Sequence, residues 1–256
     1  MAVGKDNAPR ERARSVELLW GDKERRGRGP KPVLSIERIV ETAIEVADAE
    51  GLAAVSMQRI ASEFGFTTMS LYRYLPGKAQ LVDLMTDGAL GTPPALEEIS
   101  GDWRAKLEVW ARQLWHTYHR HPWLFELPVA RPGTMGPNEL SWLESAIRAF
   151  ADTRLSGAEQ LDAVFTLSGL IRSWTYRPSD LEDERKPLTT DVAEQWGSAV
   201  GELIEEHKDS YPALLAAMNT GGFDPEVGDG EEFGLRCVLD GIGVVVDQRS
   251  AESTGS

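Results

Sequence analysis

The chain has 256 residues, 41% apolar and 27% charged, and its 41 acidic side chains outnumber its 27 basic ones to give a net charge of -14. The single Cys237 excludes a disulfide framework and a cysteine-rich zinc site. The longest run without a charged residue, 14 residues from Ser210 to Phe223, is shorter than the roughly 20 apolar residues of a membrane-spanning helix. The first 34 residues contain no apolar segment of the kind that an export signal needs, so we expect the protein to stay in the reducing cytoplasm.

The charge is distributed unevenly along the chain. Residues 1–34 hold nine basic and five acidic side chains, and five of the basic ones lie in the segment Lys23-Glu-Arg-Arg-Gly-Arg-Gly-Pro-Lys31. Residues 1–88 together are neutral, and residues 89–256 carry the entire -14. Because binding to nucleic-acid phosphates depends on clustered Lys and Arg, this asymmetry indicates an N-terminal part that faces nucleic acid and a body with another role.

The polar N-terminal segment, residues 1–34, is predicted to form a flexible basic arm. It ends in a run of Gly and Pro between residues 27 and 32, and its composition buries too little apolar surface to become ordered. One interpretation places Arg28 in the minor groove of DNA, where homeodomain arms insert their arginines. The alternative is a solvated segment that adds only non-specific attraction to phosphates. The sequence leaves both open.

From Ser35 onward, apolar residues recur at the three- and four-residue spacing of amphipathic helices. Four helices are predicted in this part of the chain, starting at Ser35, Ser56, Thr67 or Thr68, and Lys78, and ending at Gly51, Gly65, before Pro76, and at Gly91. In the first of them Ser35 is suited to cap the helix N-terminus, and Gly51 can adopt the left-handed conformation of a helix exit.

The helical period continues through the rest of the chain, and no segment predicts a convincing strand. After a linker over residues 91–101, helices are predicted over residues 103–121, 138–152, 158–177, 190–207, 212–219 and 231–249, followed by a disordered tail over residues 250–256. The fold class is therefore all-α, with a small N-terminal domain over residues 35–90 and a larger helical domain over residues 102–249.

Residues 56–78 have the layout of a helix-turn-helix, in which two short helices meet at a glycine corner. The second helix of this motif lies in the major groove and needs one apolar side for docking. Leu71 and Leu75 are suited to that side. The outward side chains for phosphates and base edges are then Thr68, Met69, Ser70, Tyr72, Arg73 and Tyr74, and Lys78 is placed to anchor a phosphate at the next helix. An ordinary helical hairpin with a tyrosine-rich surface has the same spacing.

Three linked blocks resemble the DNA-binding domain of the tetracycline-repressor (TetR) family of bacterial transcriptional regulators. They are Ile39-Val-Glu-Thr-Ala-Ile-Glu-Val-Ala-Asp-Ala-Glu-Gly51, Ser56-Met-Gln-Arg-Ile-Ala-Ser-Glu-Phe-Gly-Phe-Thr67, and Ser70-Leu-Tyr-Arg-Tyr-Leu75 with Lys78. The resemblance implies that the first helix contacts DNA through Ser56 and Gln58. It also implies base readout by Thr67, Thr68, Met69 and Ser70, phosphate contacts by Tyr72 and Tyr74, and a backbone anchor at Lys78.

Two positions depart from the pattern of the family. The family usually has Phe where Leu75 stands, and Arg73 replaces an aromatic residue of the tetracycline-repressor subclass. The resemblance therefore implies the fold of the reading head without implying an operator sequence.

Residues 102–249 are similar to the regulatory domain of the tetracycline-repressor subclass. The similarity lies in Trp103, His121-Pro-Trp123, Gly136-Pro-Asn-Glu-Leu140 with Leu143-Glu144, and the helix from Phe165 to Trp174. It implies a domain that dimerises and holds a cavity for a small molecule.

An apolar stripe on the terminal helix independently favours a homodimer. Together with the face around residues 167–171 it would form a four-helix interface between two chains, and a two-fold dimer suits a palindromic operator. The candidate interface residues are Leu167, Leu170, Ile171, Leu235, Val238, Gly241, Ile242 and Val245. Gly234 and Gly241 allow a close approach of helices. The alternative is that both helices are internal core.

The body contains seven tryptophans in about 150 residues, which favours a small-molecule pocket lined by aromatic rings. Single tryptophans at helical spacing are equally typical of a core. The candidate ligand-binding residues are Trp110, Leu114, Phe125, Phe165 and Trp174. The identity of the ligand does not follow from these residues.

No cofactor is predicted. His116, His119 and His121 lie close together in sequence, but carboxylate partners at helical spacing are absent, so surface or capping histidines are the preferred interpretation. The magnesium ligands of the tetracycline repressor itself have no match in this sequence, which argues against tetracycline as inducer.

These observations predict a transcriptional regulator that binds double-stranded DNA as a homodimer and is released by a small molecule. The alternative is a DNA-binding regulator that is controlled by a protein partner or acts as an activator. An enzyme is not predicted, because the sequence contains no nucleophile–base pair, no phosphate-binding glycine loop and no metal-ligand set.

Overall fold

The computed structural model describes residues 8–21, 34–127, 135–174, 190–222 and 230–254. Within these ranges the chain forms eleven α-helices and no strand. The helices are α1 (Ala8–Trp20), α2 (Ile36–Glu50), α3 (Met57–Glu63), α4 (Thr68–Leu71), α5 (Lys78–Leu90), α6 (Trp103–Arg120), α7 (Pro137–Ala149), α8 (Gly157–Trp174), α9 (Thr190–Glu206), α10 (Pro212–Met218) and α11 (Gly230–Thr254). Short 3-10 helices cover Leu52–Ala54, Leu96–Glu98 and Pro122–Glu126. The all-α fold is confirmed.

The chain divides into two compact units, residues 1–168 with 245–256 and residues 169–244. This division does not follow the predicted boundary at residues 91–101. That segment is not a free linker, because Leu96 is only 4% exposed and α5 packs against both α6 and α7. None of the described helices is both long and apolar enough to cross a membrane.

Helices α2 to α5 share one hydrophobic core, in which Ile39, Ile60 and Leu81 are completely buried. The predicted starts of α2 and α3 are confirmed, since Ser35 Oγ accepts from Arg38 N and Ser56 Oγ from Arg59 N. Capping of this kind satisfies backbone amides that have no partner inside the helix. The small N-terminal helices are thus ordered by their caps and by the apolar face that they share.

The prediction of a flexible arm is wrong for residues 8–20, which form α1 and pack on α5. Leu19 is 5% exposed, and the buried Ser15 donates to Asp83 Oδ2 over 2.6 Å. Trp20 Nε1 donates to the Met135 carbonyl over 3.0 Å. Composition missed this helix because its partners lie 68 and 115 residues away along the chain. Arg28 lies outside the described residues.

The prediction of a disordered tail is also wrong for residues 250–254, because α11 continues to Thr254. Arg249 binds Glu159 Oε1 over 2.7 Å and Glu252 Oε2 over 2.9 Å. Arg249 and two hydrogen bonds from Ser156 lower the pKa of Glu159 from 4.5 to about 2. A bond between residues 90 apart orders the tail, and it cannot be read from the local composition.

The body of the first unit is built on the pair α6 and α7. Trp110 Nε1 donates to the Trp142 carbonyl over 3.0 Å, and the two rings meet edge to face with centroids 5.7 Å apart. Trp103 stacks on Phe150 at 5.8 Å. In the second unit α9 and α10 pack against each other. The predicted helices of the body are confirmed, with ends that differ by a few residues.

Half of the eight predicted dimer residues are buried within the chain itself. Leu167, Ile171, Leu235 and Ile242 are buried within the single chain, Leu170, Val238 and Val245 are half-buried, and Gly241 is exposed. The four buried side chains are therefore not available to a partner. The sequence could not distinguish these cases, because burial inside a chain and burial between chains require the same apolar period.

Candidate nucleic-acid interface

Helices α3 and α4 form the predicted helix-turn-helix. The chain turns between them at Gly65, whose φ of 68° lies in the left-handed region that favours glycine. Leu71 and Leu75 are completely buried against the core of α2 to α5. The inward side of the recognition helix is therefore the predicted one. The α-helical part is shorter than predicted, since it ends at Leu71 and turns continue to Tyr74.

The opposite side of α4 presents a continuous set of polar and apolar groups. Met69 is 72% exposed, Tyr72 47% and Tyr74 37%, although all three are large enough to pack in a core. Arg73 is exposed beside them. Within the described part of the chain Arg73 forms no salt bridge, so its guanidinium is available to an external acceptor. Hydroxyl, thioether and guanidinium groups on one face match the chemistry of base edges and phosphates.

Two hydroxyl residues begin the recognition helix. Thr67 is exposed and is the N-cap residue of α4, although its side chain makes no capping hydrogen bond. Its Oγ1 lies 3.3 Å from Ser70 Oγ. Thr68 and Ser70 are half-buried. The predicted readout residues are therefore together at the start of α4, where Thr67 and Met69 are exposed.

The remaining predicted contacts surround α4. Ser56 and Gln58 are exposed at the start of α3, and Ser56 Oγ accepts a backbone hydrogen bond there. That bond leaves the hydroxyl proton of Ser56 for a phosphate. The exposed Lys78 begins α5, and its Nζ lies 3.4 Å from the Leu52 carbonyl. This contact holds the ammonium group near the junction of α2 and α3.

Sequence reasoning gave no role to Arg59, and the structure assigns it to internal pairing. Its guanidinium bonds to Glu50 at 2.7 Å and to Glu63 one turn along α3. Hydrogen bonds from both carboxylates raise the pKa of Arg59 above its ordinary value. The four-residue spacing of Arg59 and Glu63 was the signal in the sequence. Arg59 therefore ties α3 to α2, whereas Arg73 forms no ion pair with any residue that the structure describes.

The five predicted ligand-binding residues lie in different local environments. Trp110 and Leu114 are buried, and the indole of Trp110 is already bonded to Trp142. Phe125 is half-buried against Tyr118, with ring centroids 4.7 Å apart. Phe165 is 60% exposed. Trp174 is 5% exposed, and no described residue accepts a hydrogen bond from its buried Nε1.

A surface pocket of about 710 Å³ lies in the first unit. It is lined by Trp20, residues 92–97, Lys106 and the outer face of α7, and none of the five predicted residues belongs to it. The sequence missed this pocket because α1 was taken for a flexible arm. Its walls mix apolar groups with charged ones of both signs.

The three histidines have separate roles. His116 meets Trp115 edge to face with ring centroids 4.9 Å apart, and His119 lies tilted against the same indole at 4.0 Å. His121 Nδ1 lies 2.9 Å from Asp48 Oδ1, which also accepts from Trp123 Nε1 over 2.7 Å. Among the described residues no group of three His, Cys, Asp or Glu side chains could hold a metal ion.

Two family models match the chain. The model for bacterial regulatory proteins of the tetR family matches residues 39–85, and the model for the tetracyclin repressor-like C-terminal domain matches residues 94–246. The chain is 39% identical over 246 residues to the HTH-type transcriptional repressor DrrR1 of Streptomyces coeruleorubidus, an alignment that covers 94% of this chain and 89% of the relative.

Solved structures share the fold. Apo ActR from Streptomyces coelicolor superposes with a TM-score of 0.68 at 24% identity, over 86% of this chain and 99% of that one. The TetR family protein ActR of the same organism in complex with actinorhodin also gives 0.68, at 23% identity over 85% and 98% of the two chains. At this identity the similarity shows the fold alone.

Proposed function

The chain belongs to the TetR family of helix-turn-helix transcriptional regulators, and from that premise we propose that it is a homodimeric repressor released from a palindromic operator by a small molecule. Members of this family are DNA-binding regulators and not enzymes. The observation that carries the proposal is the exposed face of α4, where Met69, Tyr72 and Arg73 project from a helix anchored by two buried leucines. A protein that binds bacterial operators acts in the cytoplasm, which is where we place this one.

Exposed apolar side chains on two long helices support the homodimer. Leu161 and Phe165 are one turn apart on α8 and are 38% and 60% exposed. On α11, Phe233 and Val244 are 61% and 56% exposed. Large exposed apolar groups of this kind mark an interaction surface. We propose these side chains for the dimer contact, in place of the buried residues of the predicted stripe.

A small-molecule effector is supported by two observations. ActR, which has the same fold, has been solved in complex with actinorhodin. Among the residues that the structure describes, Trp115 Nε1 and Trp174 Nε1 are buried and find no acceptor, and an unsatisfied buried donor costs about 1–3 kcal/mol. We propose an aromatic effector with hydrogen-bond acceptors, such as carbonyl oxygens, for at least one of these indoles.

Release follows from the geometry of a two-fold dimer. Its two recognition helices must fit major grooves one helical turn apart, about 34 Å along the DNA. Helix α5 begins at Lys78 beside α4, so a tilt of α5 changes the separation of the two α4 helices. An effector that binds the tilted state more tightly lowers operator affinity by that difference in binding free energy.

The test is a genomic binding selection with the purified protein, followed by footprinting of the selected fragments. We expect a symmetric footprint with half-sites one turn apart. Tyr72→Phe/Arg73→Ala protein serves as the control, because it keeps Leu71 and Leu75 and should fold while losing selection. A wild-type protein that selects no sequence at moderate salt would contradict the proposed operator binding.

The effector is tested separately, with the protein bound to its operator fragment. Aromatic compounds with carbonyl groups, with actinorhodin as the first probe, should displace the protein from DNA and raise its melting temperature, since a ligand at about 100 times its Kd adds about 2.7 kcal/mol. Trp174→Phe keeps an aromatic ring, smaller than the indole, and removes the Nε1–H donor. A full response in both Trp115→Phe and Trp174→Phe would contradict the proposed role of the indoles.

A further inference from the structure

Helix α7 begins without a capping side chain at its N-cap position, although Glu139 Oε2 accepts from Gly136 N over 2.9 Å. Gly136 occupies its N-cap position, although the first backbone amides of a helix need acceptors. The carboxylate of Asp87, which belongs to α5, supplies them. Asp87 Oδ1 accepts from Asn138 N over 2.8 Å and from Glu139 N over 3.1 Å. The start of α7 is thus capped by a residue 51 positions earlier in the chain.

The contact is reciprocal. Asn138 Nδ2 donates to the Asp87 carbonyl over 2.8 Å. Further along α7, Trp142 Nε1 donates to the carbonyls of Leu90 and Gly91 over 3.2 and 3.0 Å. The last carbonyls of α5 therefore find donors on α7, just as the first amides of α7 find an acceptor on α5.

The contact is buried and closely fitted. Asp87 is 8% exposed and Trp142 is 4% exposed, so water competes little for these hydrogen bonds. A Cβ added to Gly136 would lie 2.1 Å from Asp87 Oδ1. Only glycine fits between the two helices at this point, and Pro137 then starts α7 at a position that suits proline. The sequence Gly136-Pro-Asn138 carried part of the family resemblance. This close contact with α5 is the physical reason for these residues.

We propose that this contact, the α5–α7 clasp of Asp87, Gly136, Asn138 and Trp142, couples α7 to the reading head, with Asp87 as its positioning residue. The proposal rests on the proposed function. Helix α5 has 13 residues, which makes it about 20 Å long, and it carries Lys78 and the junction to α4 at the end remote from the clasp. A buried carboxylate bound to a helix N-terminus is a strong, directional contact. A movement of α7 therefore shifts α5 and so changes the position of α4.

The clasp has a consequence that requires no effector. If it holds α5 at one tilt, then the two recognition helices of a dimer have one fixed separation. The wild-type protein should therefore prefer operators with one half-site spacing. Loss of the clasp should relax that preference while the contacts of each α4 with its own half-site remain.

The experiment measures binding of full-length protein to operator fragments whose half-site spacing is changed by one base pair at a time. Wild type is expected to bind its best spacing at least about tenfold more tightly than the neighbouring ones. Asp87→Ala should reduce that ratio to below about threefold, with the affinity for a single half-site unchanged within about twofold. Glu144→Gln, on the exposed side of α7, is the matched control and should behave as wild type.

Two more variants separate coupling from simple stability. Asp87→Asn keeps the shape and one oxygen acceptor, so it should restore much of the spacing preference. Asn138→Ala should relax the preference partly, and Asp87→Ala with Asn138→Ala should relax it no further than Asp87→Ala alone. These two milder variants also test the clasp if Asp87→Ala fails to fold.

The outcomes are distinguishable. A wild-type protein with no preferred operator would overturn the proposed function and the clasp with it. A wild-type preference that persists in folded Asp87→Ala or Asn138→Ala protein, with only the melting temperature lowered, would overturn the coupling alone and leave Asp87 as a structural cap.

Discussion

At the residue scale, the two arginines of the helix-turn-helix differ in whether their charge is paired within the protein. Arg59 and Arg73 both lie in the helix-turn-helix, but Arg59 is bound by Glu50 and Glu63. Arg73 has no ion-pair partner among the residues that the structure describes. A guanidinium without an internal partner does not have to break an ion pair when it binds DNA. The forked arrangement of its N–H groups suits guanine or phosphate.

Replacing Arg73 by Ala is expected to lower operator affinity. If Arg73 contacts a base, the loss should be about 1–3 kcal/mol and should be confined to operators with the correct base at one position. Binding to a set of single-base operator variants measures this. Arg148→Ala removes an exposed cation far along the chain on α7 and should change nothing. An equal loss on all sequences would reassign Arg73 to a phosphate.

The Glu159–Arg249 ion pair should make a small contribution to the stability of the fold, and this contribution should depend on pH. Because the pKa of Glu159 is lowered from 4.5 to about 2, the pair stabilises the fold fully above pH 4.5, and the stabilisation is lost as pH falls toward 2. The melting temperature of Arg249→Gln protein should lie below that of wild type at pH 7, and the difference should shrink between pH 4.5 and 2. Both groups are solvent-accessible, so high salt should also shrink it. Arg148→Gln serves as the control.

At the scale of the element, α1 shows how a short polar helix becomes part of a fold. Its apolar residues are few, but Leu19 and Ser15 are buried where the helix meets α5. An isolated helix of 13 residues is marginal in water. Packing on α5 therefore stabilises α1, which in turn adds the Ser15–Asp83 hydrogen bond to the helix that positions α4.

Substitutions on the two sides of α1 test this docking. Leu19→Ala should lower the free energy of unfolding by about 2–3 kcal/mol, because it removes a buried side chain. Val16→Ala, at a position that is 39% exposed, should change it by less than about 0.5 kcal/mol. Urea denaturation of the full chain measures both. Equal effects of the two substitutions would mean that α1 does not dock through Leu19.

At the scale of the whole molecule, the DNA-binding helices do not form an independent core. Trp123 and Leu124 are each 2% exposed and belong to the same hydrophobic cluster as Leu71 and Leu75. Asp48 of α2 accepts hydrogen bonds from Trp123 and lies 2.9 Å from His121. The segment that follows α6 therefore completes the core of the reading head, and the clasp joins α5 to α7. Both contacts connect regions that the sequence assigned to separate domains.

The proposed dimer gives the remaining prediction at this scale. Phe165→Asp should convert the protein to a monomer, because it places a charge in the apolar contact between two chains. Operator affinity should fall with it, since a monomer reads only one half-site. Leu203→Asp, at a position on α9 that is 55% exposed, is the control. Light scattering that finds a dimer for Phe165→Asp would remove α8 from the interface.

The sequence by itself determined the local features of this protein. The caps at Ser35 and Ser56, the corner at Gly65 and the buried side of α4 follow from interactions within a few residues, so periodicity and capping chemistry were enough to predict them. The family resemblance added the DNA-binding role of the exposed side of α4.

Only the tertiary structure decided those features that depend on long-range contacts. It ordered α1 and the end of α11, buried four of the eight predicted dimer residues within the chain, and brought Asp87 to Asn138. Each of these depends on partners more than 50 residues apart in sequence or on which surface a helix covers. An apolar stripe or a lone carboxylate looks the same in the sequence whichever residues it contacts. The spacing of apolar residues indicates that a side chain is buried, but it does not identify the residues that bury it.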